Sequence, residues 1–260
     1  VTAPGPDRAA LSALPRARWA AVFALLLALL GSAAWRAWVE FRRDGVIAAY
    51  FQRERWHERR FGHALECAGG APVVLIGDSM TNGFRDFWPG GVPVVNMGIP
   101  GDFSWGVYLR LPTVVACAPE RVFLMVGVND VVERVPRAET EANLLRIVRA
   151  LRRYRPATRV FVQSVLPTTA RRGWWRSSDD INAEVRALNA FLRARAGDEG
   201  YLFVDVYPEL TDADGRLRAE LTYDGIHLGR GGYAIWFERL RPHLPASPAP
   251  AAASPEPPRR

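Results

Sequence analysis

A chain of 260 residues with 49% hydrophobic content is long enough for one well-filled α/β domain with flanking segments, and short for two full domains. The formal net charge of +7 points first to acidic partners, but all 34 basic residues are arginine, spread over several segments without a nucleic-acid-binding motif, so nucleic acid is not an expected partner. Cys67 and Cys117 lie far apart, match no CxxC or zinc spacing and suit either redox compartment, while His57, His63 and His243 show no ligand spacing with acidic residues; no metal and no cofactor are expected.

Residues 1–18 are rich in Ala, Pro and Gly and read as disordered. Between Arg18 and Arg36 no residue is charged, and Trp19, Trp35 and Trp38 stand where interfacial aromatics belong, so residues 19–38 are expected to anchor the chain in a membrane as an N-terminal hydrophobic helix. A cleavable signal peptide, with Gly31-Ser32-Ala33-Ala34 near the cleavage point, and a buried core helix are the rival readings. Counted naively, the flanking arginines keep the main domain in the cytoplasm; long domains translocate despite such a bias, and the expectation here is an extracytoplasmic domain, membrane-anchored or secreted after cleavage. Residues 39–70 read as a juxtamembrane helix, with Ile47, Tyr50, Phe51, Phe61 and Leu65 available for one face.

The main domain is expected over residues 71–244. Val73-Val74-Leu75-Ile76 is an unbroken apolar run, as suits a strand covered on both faces, and it ends in Gly77-Asp78-Ser79. Further strands are expected at 93–98, 121–127, 159–165 and 201–205, with helices at 103–117, around Leu144, Ile147, Val148 and Leu151, along Ile181, Val185, Leu188 and Leu192, and from Gly232 to Leu240. Strands alternating with helices imply βαβ units: a three-layer α/β/α sandwich around a five-stranded parallel sheet. Residues 245–260 read as a disordered Pro/Ala-rich tail.

In such a sheet the carboxyl ends of the strands converge on one edge, where ligands bind. There lie Ser79, Gly98, Asn129 and, from a late loop, Asp224 and His227. Each has a bland reading: Ser79 and Asn129 as helix caps, Gly98 and Asp224-Gly225 as turns, His227 as a satisfied histidine. Together they supply a nucleophile (Ser79), a base (His227), a carboxylate to orient it (Asp224), and oxyanion donors from the backbone of Ser79 and Gly98 and the side chain of Asn129.

Gly77-Asp78-Ser79, Asn96-x-Gly98-x-x-Gly101, Gly127-x-Asn129-Asp130 and Asp224-x-x-His227, in this order, resemble the four sequence blocks of the SGNH, or GDSL, hydrolases. Gln163 to Pro167, Leu188-Asn189 and Asp224 to Leu228 are most similar to the branch of platelet-activating-factor acetylhydrolase-like and sialate O-acetylesterase-like proteins. The resemblance implies the flavodoxin-like SGNH fold, a metal-free serine esterase, Ser79 as nucleophile, His227 and Asp224 as its partners, and Ser79, Gly98 and Asn129 as the oxyanion hole. Trp174, Trp175 and Arg176, in the loop after the fourth strand, are candidate substrate contacts, with structural cover as the equal alternative. The expected substrate is a short acyl ester, O-acetyl on a carbohydrate, ahead of a lysophospholipid or other lipid ester; a membrane-anchored, non-catalytic glycan-binding module is the alternative of another class.

Overall fold

The computed structural model describes residue 59 and residues 62–67, 73–88, 92–169 and 177–245. Strands β1 (Val73–Gly77), β2 (Val94–Gly98), β3 (Arg121–Met125), β4 (Arg159–Gln163) and β5 (Leu202–Val204) form one parallel sheet in the order β2-β1-β3-β4-β5. After β2 the chain crosses to the far side of β1, so the topological switch, and with it the ligand crevice, lies between β1 and β3.

Helices α1 (Ser79–Gly83), α2 (Ser104–Leu109), α3 (Leu111–Ala116), α4 (Val128–Val132), α5 (Arg137–Tyr154), α6 (Ser178–Glu199), α7 (Tyr207–Leu210) and α8 (Arg230–Leu240) complete the described elements with three short 3-10 turns. Alternate strand residues face opposite ways, and each face has its own core. Val74, Ile76, Val122, Leu124, Val160 and Val162 pack against α2, α3, α5 and α6. Val73, Leu75, Phe123, Met125 and Phe161 pack against α1 and α8, where Phe84 stacks on Trp236. This double covering is why β1 carries no polar residue.

The structure departs from the sequence expectations in local detail. The single crossover helix over 103–117 is two helices meeting at Arg110: Pro112 has no N–H to continue the ladder, and its ring disfavours helix through that point. The last helix starts at Arg230, and β4 stops at Gln163 because the backbone of Val165 bonds an asparagine side chain instead of a neighbouring strand. The hydrophobic run 19–38, residues 1–18, most of 39–70 and residues 246–260 lie outside the described residues. Among the described residues no helix is long and apolar enough to cross a membrane.

Residues 62–66 form a helical stretch that leads to Cys67. A disulfide joins Cys67 to Cys117 at the end of α3, across 50 residues of sequence, with Cα atoms 4.9 Å apart. The same stretch buries His63; burial first, then the positive charges of Arg110, Arg85 and Arg59, lowers its pKa to about 3, so the imidazole is neutral there.

Two buried ionisable groups lie at the carboxyl edge of the sheet. Arg110, only 2% exposed, donates to Gly77 O (2.8 Å) at the end of β1, to Met97 O (2.5 Å) in β2 and to the carboxylate of Asp102 (2.7 Å). Asp78, between β1 and α1, caps the helix by accepting from Met80 N–H (3.0 Å). Burial pushes its carboxyl up to about 7; the Met80 N–H bond opposes this, and the negative charges of Asp102 and Asp130 add to it.

Replacing Arg110 by Met takes the guanidinium from the buried Asp102 carboxylate, and we expect a loss of about 3–5 kcal/mol, read from urea denaturation. Asp78 makes a second measurable contribution. Its folded pKa lies above the unfolded value of about 3.9, so the folded state holds the proton more tightly, and the associated stability is complete below that value and lost as pH rises through about 7. Asp78→Asn, which keeps the capping oxygen, is therefore expected to gain in melting temperature relative to the native chain between about pH 4 and about pH 8; a pH-independent difference would contradict this.

Candidate active site

Ser79 is the first residue of α1, delivered by β1 to the crevice between β1 and β3. As the first helical residue, its N–H has no acceptor within the helix. The second half of the site is a loop closed at its base by an antiparallel bridge between Thr222 and Leu228. His227 Nε2 lies 3.0 Å from Ser79 Oγ, and His227 Nδ1 lies 2.6 Å from Asp224 Oδ2.

The Asp-x-x-His spacing works because Asp224 binds its own loop. Its other carboxylate oxygen, Oδ1, accepts from Ile226 N–H (2.9 Å) and His227 N–H (2.7 Å), which turns the histidine back over the aspartate. Burial works against ionisation of Asp224, but the bonds from the His227 ring and from the two backbone N–H groups outweigh it and hold the carboxyl below the usual range. Thr222 braces the loop from inside: its hydroxyl donates to His227 O (2.7 Å) and accepts from Gly225 N–H (2.8 Å). With Asp224 ionised, Nδ1 keeps its proton and Nε2 is left to accept one from Ser79, the arrangement that makes a hydroxyl nucleophilic.

The proposed oxyanion donors sit on neighbouring strand ends. Gly98 pairs in register with Gly77, and a side chain at Gly98 would strike the backbone of Thr81 and Asn82, so α1 can approach β2 this closely only over glycine. The Gly98 N–H donates to Asn96 Oδ1 (2.9 Å), while Asn96 Nδ2 donates to Thr81 O (2.6 Å). Asn129, in the first turn of α4, gives one amide hydrogen to Asp102 O (2.9 Å); an amide carries two. The neighbouring Asp130 is fully buried and accepts from Ser104 N–H (3.0 Å) and Ser104 Oγ (2.6 Å).

The structure thus brings Ser79, Asp224 and His227 into one hydrogen-bonded chain and places Gly98 and Asn129 on the flanking strand ends. Trp174, Trp175 and Arg176 lie outside the described residues. Sequence reasoning assigned no role to Asn96, Thr222 or Tyr223, whose ring stacks near-parallel on His227 (centroids 5.9 Å, 14°). The Thr-x-Asp order before His227 was the available signal for Thr222. Among the described residues no group of three or more His, Cys, Asp or Glu is placed to hold a metal ion.

The chain is 29% identical over 170 residues to platelet-activating factor acetylhydrolase IB subunit alpha1 of Pongo abelii, a match covering 62% of this chain and 70% of that one. It is 27% identical to the N-acylneuraminate cytidylyltransferase of Escherichia coli over 63% of its own length, but spans only 38% of that protein. Among solved structures, a Streptococcus pneumonia protein described as a platelet activating factor superposes with a TM-score of 0.65 at 25% identity, covering 76% of this chain and 96% of its own. A GDSL-like lipase from Bacteroides thetaiotaomicron superposes at 0.63 and 25% identity, covering 71% and 96%. The profile of the GDSL-like lipase/acylhydrolase family matches residues 75–235, more than half of the chain, and this protein accordingly belongs to that family and is a carboxylic ester hydrolase.

Proposed function

We propose that the protein is a serine esterase that removes short acyl groups, acetyl foremost, from a carbohydrate through an acyl-enzyme. The observation that carries this reading is the unbroken chain Ser79 Oγ, His227, Asp224, at 3.0 and 2.6 Å. Ser79 Oγ attacks the ester carbonyl as His227 Nε2 takes its proton; the imidazolium formed is stabilised by Asp224 and then protonates the departing alcohol. Water repeats the sequence on the acyl-enzyme.

The developing oxyanion is held by Ser79 N–H and by Asn129 Nδ2, with Gly98 N–H as third donor. That last N–H is shared with Asn96 Oδ1, so its part requires a bifurcated bond or a small shift as charge develops. A small acyl group is favoured by the Pongo abelii relative, which is, by name, an acetylhydrolase. A sugar as the alcohol part is favoured by the match to a protein named for an acylated sugar acid, though only 38% of that protein is spanned. Trp174 and Trp175 would supply stacking surfaces and Arg176 a contact for an acidic group. A lysophospholipid or other lipid ester is the second reading.

The Cys67–Cys117 disulfide favours an oxidising compartment. With the uncharged run over 19–38 it supports a catalytic domain held outside the cytoplasm by an N-terminal membrane anchor.

Ser79→Ala is expected to abolish both hydrolysis of a short-chain aryl ester and labelling by a fluorophosphonate; retained turnover would refute the assignment, and a glycan-binding module would show neither activity in the native chain. Asn129→Ala is expected to fold and to lose about 10²–10³ in kcat on the same ester, because one oxyanion donor is gone. On a panel of acetylated sugars and lysophospholipids, kcat/KM is expected to be highest on the sugars, and the opposite ranking would select the lipid reading.

A further inference from the structure

The tip of the 222–228 loop, which carries both Asp224 and His227, is held from outside by the segment that follows β4. Gly225 O, midway between the two residues, accepts from Thr168 Oγ (2.7 Å) and from Thr169 N–H (2.7 Å). Gly225 has φ +84°, a left-handed conformation that turns this carbonyl outward, so that the next two N–H groups face Asp224 Oδ1. The orientation of the 225–226 peptide is thereby common to both contacts: the carbonyl is fixed by Thr168 and Thr169, the amide by Asp224.

Thr168 is itself held at both of its backbone groups. Asn182 Oδ1 accepts Thr168 N–H (2.8 Å) and Asn182 Nδ2 donates to Thr168 O (2.7 Å). Asn189 repeats this on Val165, at 2.8 Å for each bond. The spacings match: seven residues of α6 rise about 10.5 Å, and three residues of extended chain span about 10 Å. Two asparagines two helical turns apart therefore grip an extended segment at both ends and supply the ladder it lacks beyond β4. Thr168, Asn182 and Asn189 are 1%, 1% and 8% exposed, so these bonds stand without competition from water.

We infer that Thr168, fixed by Asn182 on α6, is a positioning residue for the reaction: it holds the Asp224–His227 pair at the separation from Ser79 that proton transfer needs. Thr168 acts on the pair through Gly225 O. The inference rests on the esterase reading above, since the pair matters to rate only if His227 takes the Ser79 proton. A misplacement of the base by a fraction of an ångström lowers the rate of the chemical step without changing how substrate binds.

The test compares Thr168→Val, which keeps the shape but removes the donor, with Thr168→Ser, which keeps the donor. Thr168→Val is expected to lower kcat on a short-chain aryl ester by about tenfold or more with KM within about twofold, and to slow fluorophosphonate labelling of Ser79 by the same factor. Thr168→Ser should restore both to within about twofold of the native values. Thr168→Ala, which lacks the hydroxyl and cannot crowd the loop, should repeat the loss and stands in if the valine variant does not fold. Native kcat and labelling in the valine or alanine variant, a serine variant as impaired as the valine one, or a change confined to KM would overturn the inference. A native chain that neither hydrolyses esters nor labels at Ser79 would instead overturn the esterase reading.

Discussion

A guanidinium shut away from water governs the geometry of the catalytic edge. Arg110 reaches the last carbonyl of β1, a carbonyl near the end of β2 and the carboxylate of Asp102 at once, a fork that the point charge of a lysine does not reproduce. Burying such a pair costs roughly several kcal/mol per ion before the partners repay it, so the contact is a poor source of net stability. What it supplies is placement. With the carbonyls of Gly77 and Met97 tied to one planar group, the ends of β1 and β2 cannot slide past each other, and the serine after one keeps its place beside the glycine in the other.

The same logic extends along the edge. Beyond their last ladder bonds the strands run into loops that must still satisfy their backbone groups. Here side chains do so: the buried Asn96 between α1 and β2, Asp130 for the start of α2, Asn182 and Asn189 for the segment after β4, and the half-buried Thr222 within the histidine loop. Each bond has directional demands that apolar packing does not impose. The site is thus assembled on irregular chain that is held as firmly as a strand.

The parallel sheet was legible because burial on both faces leaves β1 and residues 122–125 of β3 continuously apolar, and because helices at regular spacing leave few topologies. Ser79, Asp224 and His227 were legible for a local reason: strand-Gly-Asp-Ser is a contiguous signal, and Asp-x-x-His closes its hydrogen bond within one loop. Arg110 was not, since in an arginine-rich chain nothing in its neighbourhood marks one as buried. The Cys67–Cys117 pair depends on two distant segments meeting, which spacing alone does not encode. The break in the 103–117 helix was readable at Pro112 and went unread. That the Gly98 N–H is engaged by Asn96 follows from side-chain geometry that no motif expresses.

The disulfide also has a mechanical side. Cys67 precedes β1, the strand that carries Ser79, and its partner Cys117 closes α3 just ahead of β3. A pull arriving along the chain from its N-terminal side can pass at Cys67 through the sulfur atoms into α3 without first running along β1. The strand that ends at Ser79 is thereby relieved of load.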